Sequence, residues 1–173
     1  MRVARKLGEF YNKDKGARFV LKYAAQFPEG AINAIEFEKM VEIFDQFGNE
    51  TKRVYDFVID GKKYELKAWT KWAPWSDEAF LNQFVKDITS IDNLKNLQWV
   101  FMKTEDITEE NLYKYIIQAL KNEAKSEKLL KIEVSQVIKL TGIENIDDAN
   151  KVNHIVQYLS NKNNFRKIFN VAE

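Results

Sequence analysis

The sequence contains no cysteine and a single histidine, His154. Without cysteine the chain can form neither a disulfide framework nor a cysteine-ligated metal site. The single histidine likewise excludes ribonuclease chemistry on histidine pairs and metal sites built on several histidines. One histidine in a predicted C-terminal helix is typical of a surface or packing residue. Any catalysis would therefore depend on carboxylates, lysines and a metal ion.

Glycine and proline are also scarce, with six and two residues respectively, and there is neither a glycine-rich phosphate loop nor a Gly-x-Ser-x-Gly element. No apolar run approaches the roughly 18 residues of a transmembrane helix. The net charge is only +1, so a nucleic-acid-binding protein would have to gather its basic residues on one face. The apolar content of 45% is typical of a globular chain, and residues 1–173 fit one domain.

The sequence does contain a pronounced β-hairpin signal over residues 53–69. Strand-favouring valine, isoleucine and aromatic residues occupy both halves of this segment. Between the halves lies Asp60-Gly61, a pair typical of a two-residue turn, because such a turn needs positive φ and glycine supplies it. We therefore predict two antiparallel strands joined by a tight turn.

Three charged residues of this hairpin fall on one face of the predicted sheet. With the turn on Asp60-Gly61, Asp56 lies opposite Glu65, and with the turn shifted by one residue it lies opposite Lys67. Glu65 and Lys67 are two residues apart on one strand, so they point the same way. Both registers gather two carboxylates and an ammonium group, which can hold a hard divalent cation and orient a water. The alternative is a face on which these side chains simply meet solvent.

A Glu-x-Lys triplet is a weak signal when it stands alone. In a chain with 31% charged residues such triplets arise by chance, and a second copy, Glu123-Ala-Lys125, lies in a segment with a helical pattern. The triplet by itself therefore favours the solvated face. The face shared with Asp56 and the order of the surrounding elements favour a functional site.

The predicted elements around the hairpin alternate between helix and strand in a definite order. They are a helix at 3–26 with a candidate break at 12–15, an ambiguous segment at 32–47, the hairpin, a helix from Ser76 to about Ile91, and a buried strand at 97–102. The last strand follows a helix, so we expect it to run parallel to a core strand.

The remaining residues, about 105–173, have a helical pattern. The predicted helix starts are Thr108, Ser126 and Asp147 or Asp148, Gly142 ends the second of these helices, and a short turn closes the chain at 165–171. No linker rich in proline or serine separates these helices from residues 3–103. We therefore expect a helical elaboration of one domain.

An aromatic loop follows the hairpin and contains Trp72 and Trp75 beside Lys71. Next to a metal site, such residues could stack bases and hold phosphates. They could equally anchor the loop over the sheet edge by burying apolar surface. The sequence leaves both interpretations open.

Asp56 followed by Glu65-Leu66-Lys67 resembles the PD-(D/E)xK nuclease superfamily, which has the restriction-endonuclease-like fold. That family places an Asp at the end of one core strand and Glu-x-Lys on the next, although here Tyr55 replaces the proline of the motif. More narrowly, the segments 64–69 and 16–24 are similar to nuclease domains at the C-termini of bacterial contact-dependent growth inhibition toxins.

The resemblance implies an α+β fold whose core is a helix, a three-stranded meander, a helix and a strand, with a C-terminal helical elaboration. This order favours a strand for residues 32–47. The resemblance also implies that Asp56, Glu65 and the backbone carbonyl of Leu66 are metal ligands, and that Lys67 orients or activates the attacking water.

Two further residues are implied less directly. The first helix of the superfamily often donates another acid, and Glu9 is the best match. The helix after the hairpin commonly places a glutamine or lysine near the substrate phosphate, and Gln83 fits best. A solvated surface residue is the alternative at both positions.

The function implied by the resemblance is metal-dependent hydrolysis of phosphodiester bonds in tRNA or DNA. Mg²⁺ is the expected ion, with Mn²⁺ or Zn²⁺ as alternatives, and tRNA is favoured by the resemblance alone. A toxin domain would be secreted as part of a larger surface protein, delivered to the target-cell cytoplasm and bound by a cognate immunity protein. The alternatives are a non-catalytic nucleic-acid-binding or protein-binding module on the same fold, and an immunity or adaptor protein.

Overall fold

The computed structural model describes the backbone of residues 2–32, 34–44, 50–122 and 127–173, and within these ranges all side chains except those of 2–12, 32, 43, 44 and 51. In chain order the elements are α1 (Arg2–Ala24), α2 (Glu29–Ile32), β1 (Glu36–Phe44), β2 (Glu50–Ile59), β3 (Lys62–Lys67), α3 (Ser76–Ser90), β4 (Leu97–Met102), α4 (Glu109–Lys121), α5 (Val134–Thr141), α6 (Lys151–Ser160), α7 (Lys162–Ile168) and β5 (Phe169–Ala172), with 3₁₀ turns at Leu94–Asn96 and Glu127–Lys131. The predicted α+β class is confirmed.

The described strands form one mixed sheet in the order β1-β2-β3-β4-β5. The β1–β2 and β2–β3 pairs are antiparallel, and the β3–β4 and β4–β5 pairs are parallel. Parallel neighbours need a long connection, which α3 provides for the first pair and α4 to α7 provide for the second. The strand favoured for residues 32–47 is present as β1, and α1 runs without a break through residues 12–15.

The two faces of the sheet bury different apolar clusters. Helix α3 and the C-terminal helices cover one face, where Trp99 and Phe101 of β4 are fully buried. Helix α1 covers the other face through Phe19, which packs in a cluster with Val100. Alternate residues of one strand thus point to opposite layers. Within the described ranges no helix combines the length and the apolar character needed to cross a membrane.

The C-terminal end of the chain differs from the prediction in one element. The expected terminal turn at 165–171 is wrong, because α7 ends at Ile168 and Phe169–Ala172 form strand β5 beside β4. Four residues are too few to show a strand period in the sequence. What fixes the strand is its pairing with β4 and the burial of Phe169, which is 2% exposed.

The predicted helix starts have mixed outcomes. Thr108 caps α4 as predicted, since its Oγ1 accepts the N–H of Asn111 at 3.2 Å. Helix α6 begins at Lys151, after Asn150, so the predicted cap at Asp147 or Asp148 is wrong. The carboxylate of Asp147 accepts the N–H of Asn150 at 2.8 Å and so closes a turn before the helix. The predicted start at Ser126 and the triplet at 123–125 lie outside the described residues.

The hairpin turn lies on Asp60-Gly61 as predicted. Ile59 pairs with Lys62 directly across it. Both turn residues have positive φ, 49° for Asp60 and 78° for Gly61. Positive φ at both central positions is the geometry of a type I′ turn, whose twist matches that of the strands.

We expect Gly61→Ala to destabilise the fold by about 1 kcal/mol, because a Cβ disfavours left-handed φ even in open space. Urea unfolding measures the change. Gly30→Ala is the matched control, since Gly30 lies in helix α2, has no positive φ and has open space around it. Equal stability of the two variants would contradict the turn geometry.

Candidate active site

Strand β2 separates from β3 at Asp56. The ladder between the two strands ends at the Phe57–Tyr64 pair, while β3 continues beside β4. In a continued ladder the N–H of Leu66 would bond to a carbonyl of β2. Here it donates to Asp56 Oδ2 at 2.6 Å, so a carboxylate replaces a backbone acceptor. The place where β2 leaves β3 is called the opening below. The carbonyl of Leu66 leaves the strand on the same side as its N–H and therefore faces it.

Strand β2 also changes face at this point. Tyr55 packs on the α3 side of the sheet and Phe57 on the α1 side, although residues two apart normally share a face. The β1–β2 ladder is interrupted at the same level, between the Phe57 pair and the Tyr55 pair, and Glu38 of β1 has a φ of 49° there. Tyr55 and Phe57 thus lie on opposite faces with Asp56 between them, while the β1–β2 register is the same on both sides of the interruption.

Glu65 and Lys67 lie on the same face, as predicted, and they contact each other. Lys67 Nζ donates to Glu65 Oε1 and, at 2.5 Å, to Oε1 of Gln83 on α3. The ammonium lies 5.1 Å from the ring centre of Trp99. The side chains of Glu65 and Lys67 are only 6% and 11% exposed, which contradicts the solvated face that was the alternative. The residue predicted on α3, Gln83, thus reaches the motif lysine.

Two charged residues that the sequence interpretation missed complete the cluster. Arg53 Nη2 donates to Glu65 Oε2 at 2.8 Å, and Arg53 Nε donates to Asp87 Oδ1 at 2.6 Å. Arg53 is 7% exposed and Asp87 is fully buried. The available signal was the position of Asp87 on the apolar face of the predicted helix, three residues after Phe84, because a charge on such a face needs a buried partner.

The cluster perturbs the acidity of its members. Burial, followed by the charge of Glu65, raises the pKa of Asp56 to about 6, against the opposing effects of the Leu66 N–H and the two cations. Burial also raises the pKa of Asp87. For Arg53, burial disfavours the charge, but the hydrogen bond and charge of Asp87, together with Glu65, leave its pKa above the ordinary value. With Asp56 ionised, three anions face two cations.

The oxygen donors at the opening fit a hard divalent cation that keeps most of its waters. Mg²⁺ in proteins commonly uses one or two carboxylates and retains several waters. Asp56 and Glu65 supply two carboxylates, and the Leu66 carbonyl adds one backbone oxygen. Among the described residues no group of three or more acidic, histidine or cysteine side chains could form a complete cage. Glu9 lies in α1, but its side chain lies outside the described part.

The aromatic loop after β3 is anchored through Trp72. This ring stacks on Tyr115 with centroids 5.4 Å apart, and its Nε1 donates to Asp77 at 2.6 Å. Its backbone N–H donates to Asp106 at 2.7 Å. The anchoring interpretation therefore holds for Trp72. Trp75 contacts the ring of Trp69 edge to face, with centroids 5.3 Å apart, and is 58% exposed.

The nuclease interpretation rests on the motif and on this geometry. No family model, no curated protein and no solved structure matches the chain. The family resemblance therefore stays a prediction from the sequence.

We expect Asp56→Asn to stabilise the fold at pH 8. Asp56 has a higher pKa in the folded chain, about 6 against an ordinary 3.8. Its contribution to the free energy of unfolding is therefore fully present below about pH 4 and is lost as the pH rises through 6. Asparagine still accepts the Leu66 N–H but carries no charge. The free energy of unfolding of the variant should exceed that of the wild type by roughly 1–3 kcal/mol at pH 8, and this difference should disappear at pH 4.

Urea unfolding between pH 4 and pH 8 measures this gap. Asp92→Asn is the control, because Asp92 is exposed and Lys139 lowers its pKa, so this variant should not gain stability as the pH rises. A gap for Asp56→Asn that does not change with pH would contradict the raised pKa.

Replacing Arg53 with methionine should cost about 3–5 kcal/mol of unfolding free energy, because the substitution leaves two buried carboxylates without their partner. Arg18→Met serves as the matched control. That arginine pairs with Asp14 but is 79% exposed, so its loss should cost under about 1 kcal/mol. Thermal or urea unfolding checks both, and similar losses would show that the buried network is weak.

Proposed function

We propose that the chain is a metal-dependent nuclease that hydrolyses phosphodiester bonds. The observation that carries the proposal lies where β2 leaves β3. The Asp56 carboxylate accepts the N–H of Leu66, and the residues on either side of Leu66, Glu65 and Lys67, contact each other. Two carboxylates, a backbone carbonyl and a lysine at one opening are the donor set that such hydrolysis needs. Perturbed acidity at this cluster is a further mark of functional sites.

The arrangement of the elements supports a restriction-endonuclease-like core. The helix, the three-stranded antiparallel meander, the second helix and the strand parallel to β3 follow one another in the order that the resemblance implies. The motif residues lie on the second and third strands, and α3 contributes Gln83 from the layer that covers them.

In this proposal Asp56, Glu65 and the Leu66 carbonyl hold Mg²⁺, or alternatively Mn²⁺ or Zn²⁺. Bound there, the ion would supply Lewis-acid chemistry, which lowers the pKa of a water and neutralises charge that builds on the phosphate. Lys67, held between Glu65 and Gln83, orients the attacking water and stabilises developing negative charge. Gln83, whose Oε1 accepts from Lys67, would donate its amide N–H to a phosphate oxygen.

The substrate and the biological setting are proposed from the resemblance. The substrate is tRNA or DNA, with tRNA favoured. The domain would act as a toxin, carried on a larger secreted surface protein into the cytoplasm of a target cell, and a cognate immunity protein would protect the producer. Trp75, which is 58% exposed beside the ring of Trp69, supports a nucleic-acid substrate, because an exposed aromatic side chain can stack a base of any sequence.

One observation favours a second candidate, a non-catalytic binding module. Both oxygens of Glu65 already have cationic partners, Arg53 on Oε2 and Lys67 on Oε1. Such a buried network can specify the fold without taking part in catalysis. The two candidates differ in whether the purified chain binds a divalent ion and cleaves nucleic acid.

Incubation of the purified protein with tRNA and with plasmid, each with Mg²⁺ and with chelator, tests the nuclease proposal. We expect cleavage that needs Mg²⁺, and a loss of about 100-fold or more in Lys67→Ala and in Asp56→Ala. Lys139→Ala, at an exposed ion pair, should cleave like the wild type.

Expression in cells gives an independent measurement of the same proposal. The wild type should be toxic without a cognate partner, and both site variants should relieve the toxicity. Equal cleavage by all variants, or cleavage undiminished by chelator, would exclude the assigned residues. No cleavage of either substrate would favour the binding module.

A further inference from the structure

We propose that Asp87 is a positioning residue for the metal site and that it acts through Arg53. The inference rests on the proposed function, because it concerns how tightly the same opening holds a divalent cation. Asp87 belongs to α3 and Arg53 to β2, while the carboxylate they influence, Glu65, belongs to β3. The three residues therefore connect three elements behind the opening.

Asp87 accepts three side-chain hydrogen bonds. Its Oδ1 accepts Arg53 Nε at 2.6 Å, and its Oδ2 accepts Arg53 Nη2 at 3.3 Å and Trp99 Nε1 at 2.8 Å. All three donors lie on rigid groups, a planar guanidinium and an indole. With no solvent exposure, the carboxylate has little freedom to turn, so it fixes the plane of the guanidinium.

The fixed guanidinium then determines how Glu65 is presented. Arg53 uses its Nε–Nη2 edge for Asp87, and Nη2 also reaches Glu65 Oε2 at 2.8 Å. Glu65 is thereby held through both oxygens, by Arg53 on Oε2 and by Lys67 on Oε1. An ion at the opening would meet a carboxylate whose orientation is already set, which lowers the cost of binding.

Asp87 also balances the charge of Arg53. With Asp87 ionised, the guanidinium is shared between two carboxylates. If Asp87 is made neutral, the whole positive charge falls on Glu65, and the cluster loses one of its three anions. The cluster then attracts a divalent cation less strongly, and Arg53 binds the metal ligand Glu65 more strongly. Geometry and charge therefore act in the same direction on metal affinity.

Titration of the whole chain with Mn²⁺ in a calorimeter tests this role. We expect Asp87→Asn to weaken Mn²⁺ binding tenfold or more, and Trp99→Phe, which removes one donor to Asp87 and keeps an aromatic ring beside Lys67, to weaken it two- to fivefold. Asp92→Asn makes the same chemical change at an exposed position and should leave the affinity as in the wild type.

The side-chain Nε–H resonance of Arg53 gives a readout that does not depend on activity. Arg53→Lys assigns the resonance by its disappearance. Adding Mg²⁺ should shift this resonance in the wild type, because the ion binds Glu65 and changes its hydrogen bond with Arg53. Asp87→Asn should move the resonance towards the position of a solvated arginine. A resonance that does not respond to either change would overturn the coupling.

The outcomes separate the two proposals. Wild-type affinity for Mn²⁺ in a folded Asp87→Asn variant would overturn the positioning role and leave the nuclease proposal standing. If that variant does not fold, Trp99→Phe decides, and unchanged affinity there overturns the role. A wild type that binds no Mn²⁺ would remove the metal site and with it both proposals.

Discussion

The hydrogen bond between the Leu66 N–H and the Asp56 carboxylate is the interaction on which the site depends. A backbone N–H inside a sheet must find an acceptor. Because β2 turns away from β3 at this level, no backbone carbonyl is opposite, and Asp56 Oδ2 takes that place at 2.6 Å. The same bond therefore closes the end of a ladder and fixes a carboxylate beside Glu65 and Lys67.

The burial of this cluster makes its charges interdependent. Arg53 connects Glu65 to Asp87, and Lys67 connects Glu65 to Gln83, so no one acid can change its charge without affecting the others. The raised pKa of Asp56 shows the cost, since an ionised acid there opposes folding. A chain that holds such a group against its own stability has the property common at functional sites.

Much of the core could be predicted because its signals are local. The Asp60-Gly61 turn sets the register, the period of two places Glu65 and Lys67 together, and apolar periodicity locates α3. The partnership of Arg53 with Asp87 could not be predicted, because the two lie 34 positions apart on different elements. Strand β5 was missed for a similar reason, since it pairs with β4, about 70 positions earlier in the chain.

The sequence by itself determined the hairpin, its turn and the shared face of Glu65 and Lys67, since each follows from backbone preferences and from neighbours a few positions away. Only the tertiary structure decided the change of face at Asp56, and with it which cations neutralise Glu65. The physical reason is that β2 packs on β1, β3 and α3 at once. These contacts together determine the face of the sheet on which each β2 residue lies, and a local sequence pattern cannot predict their combined effect.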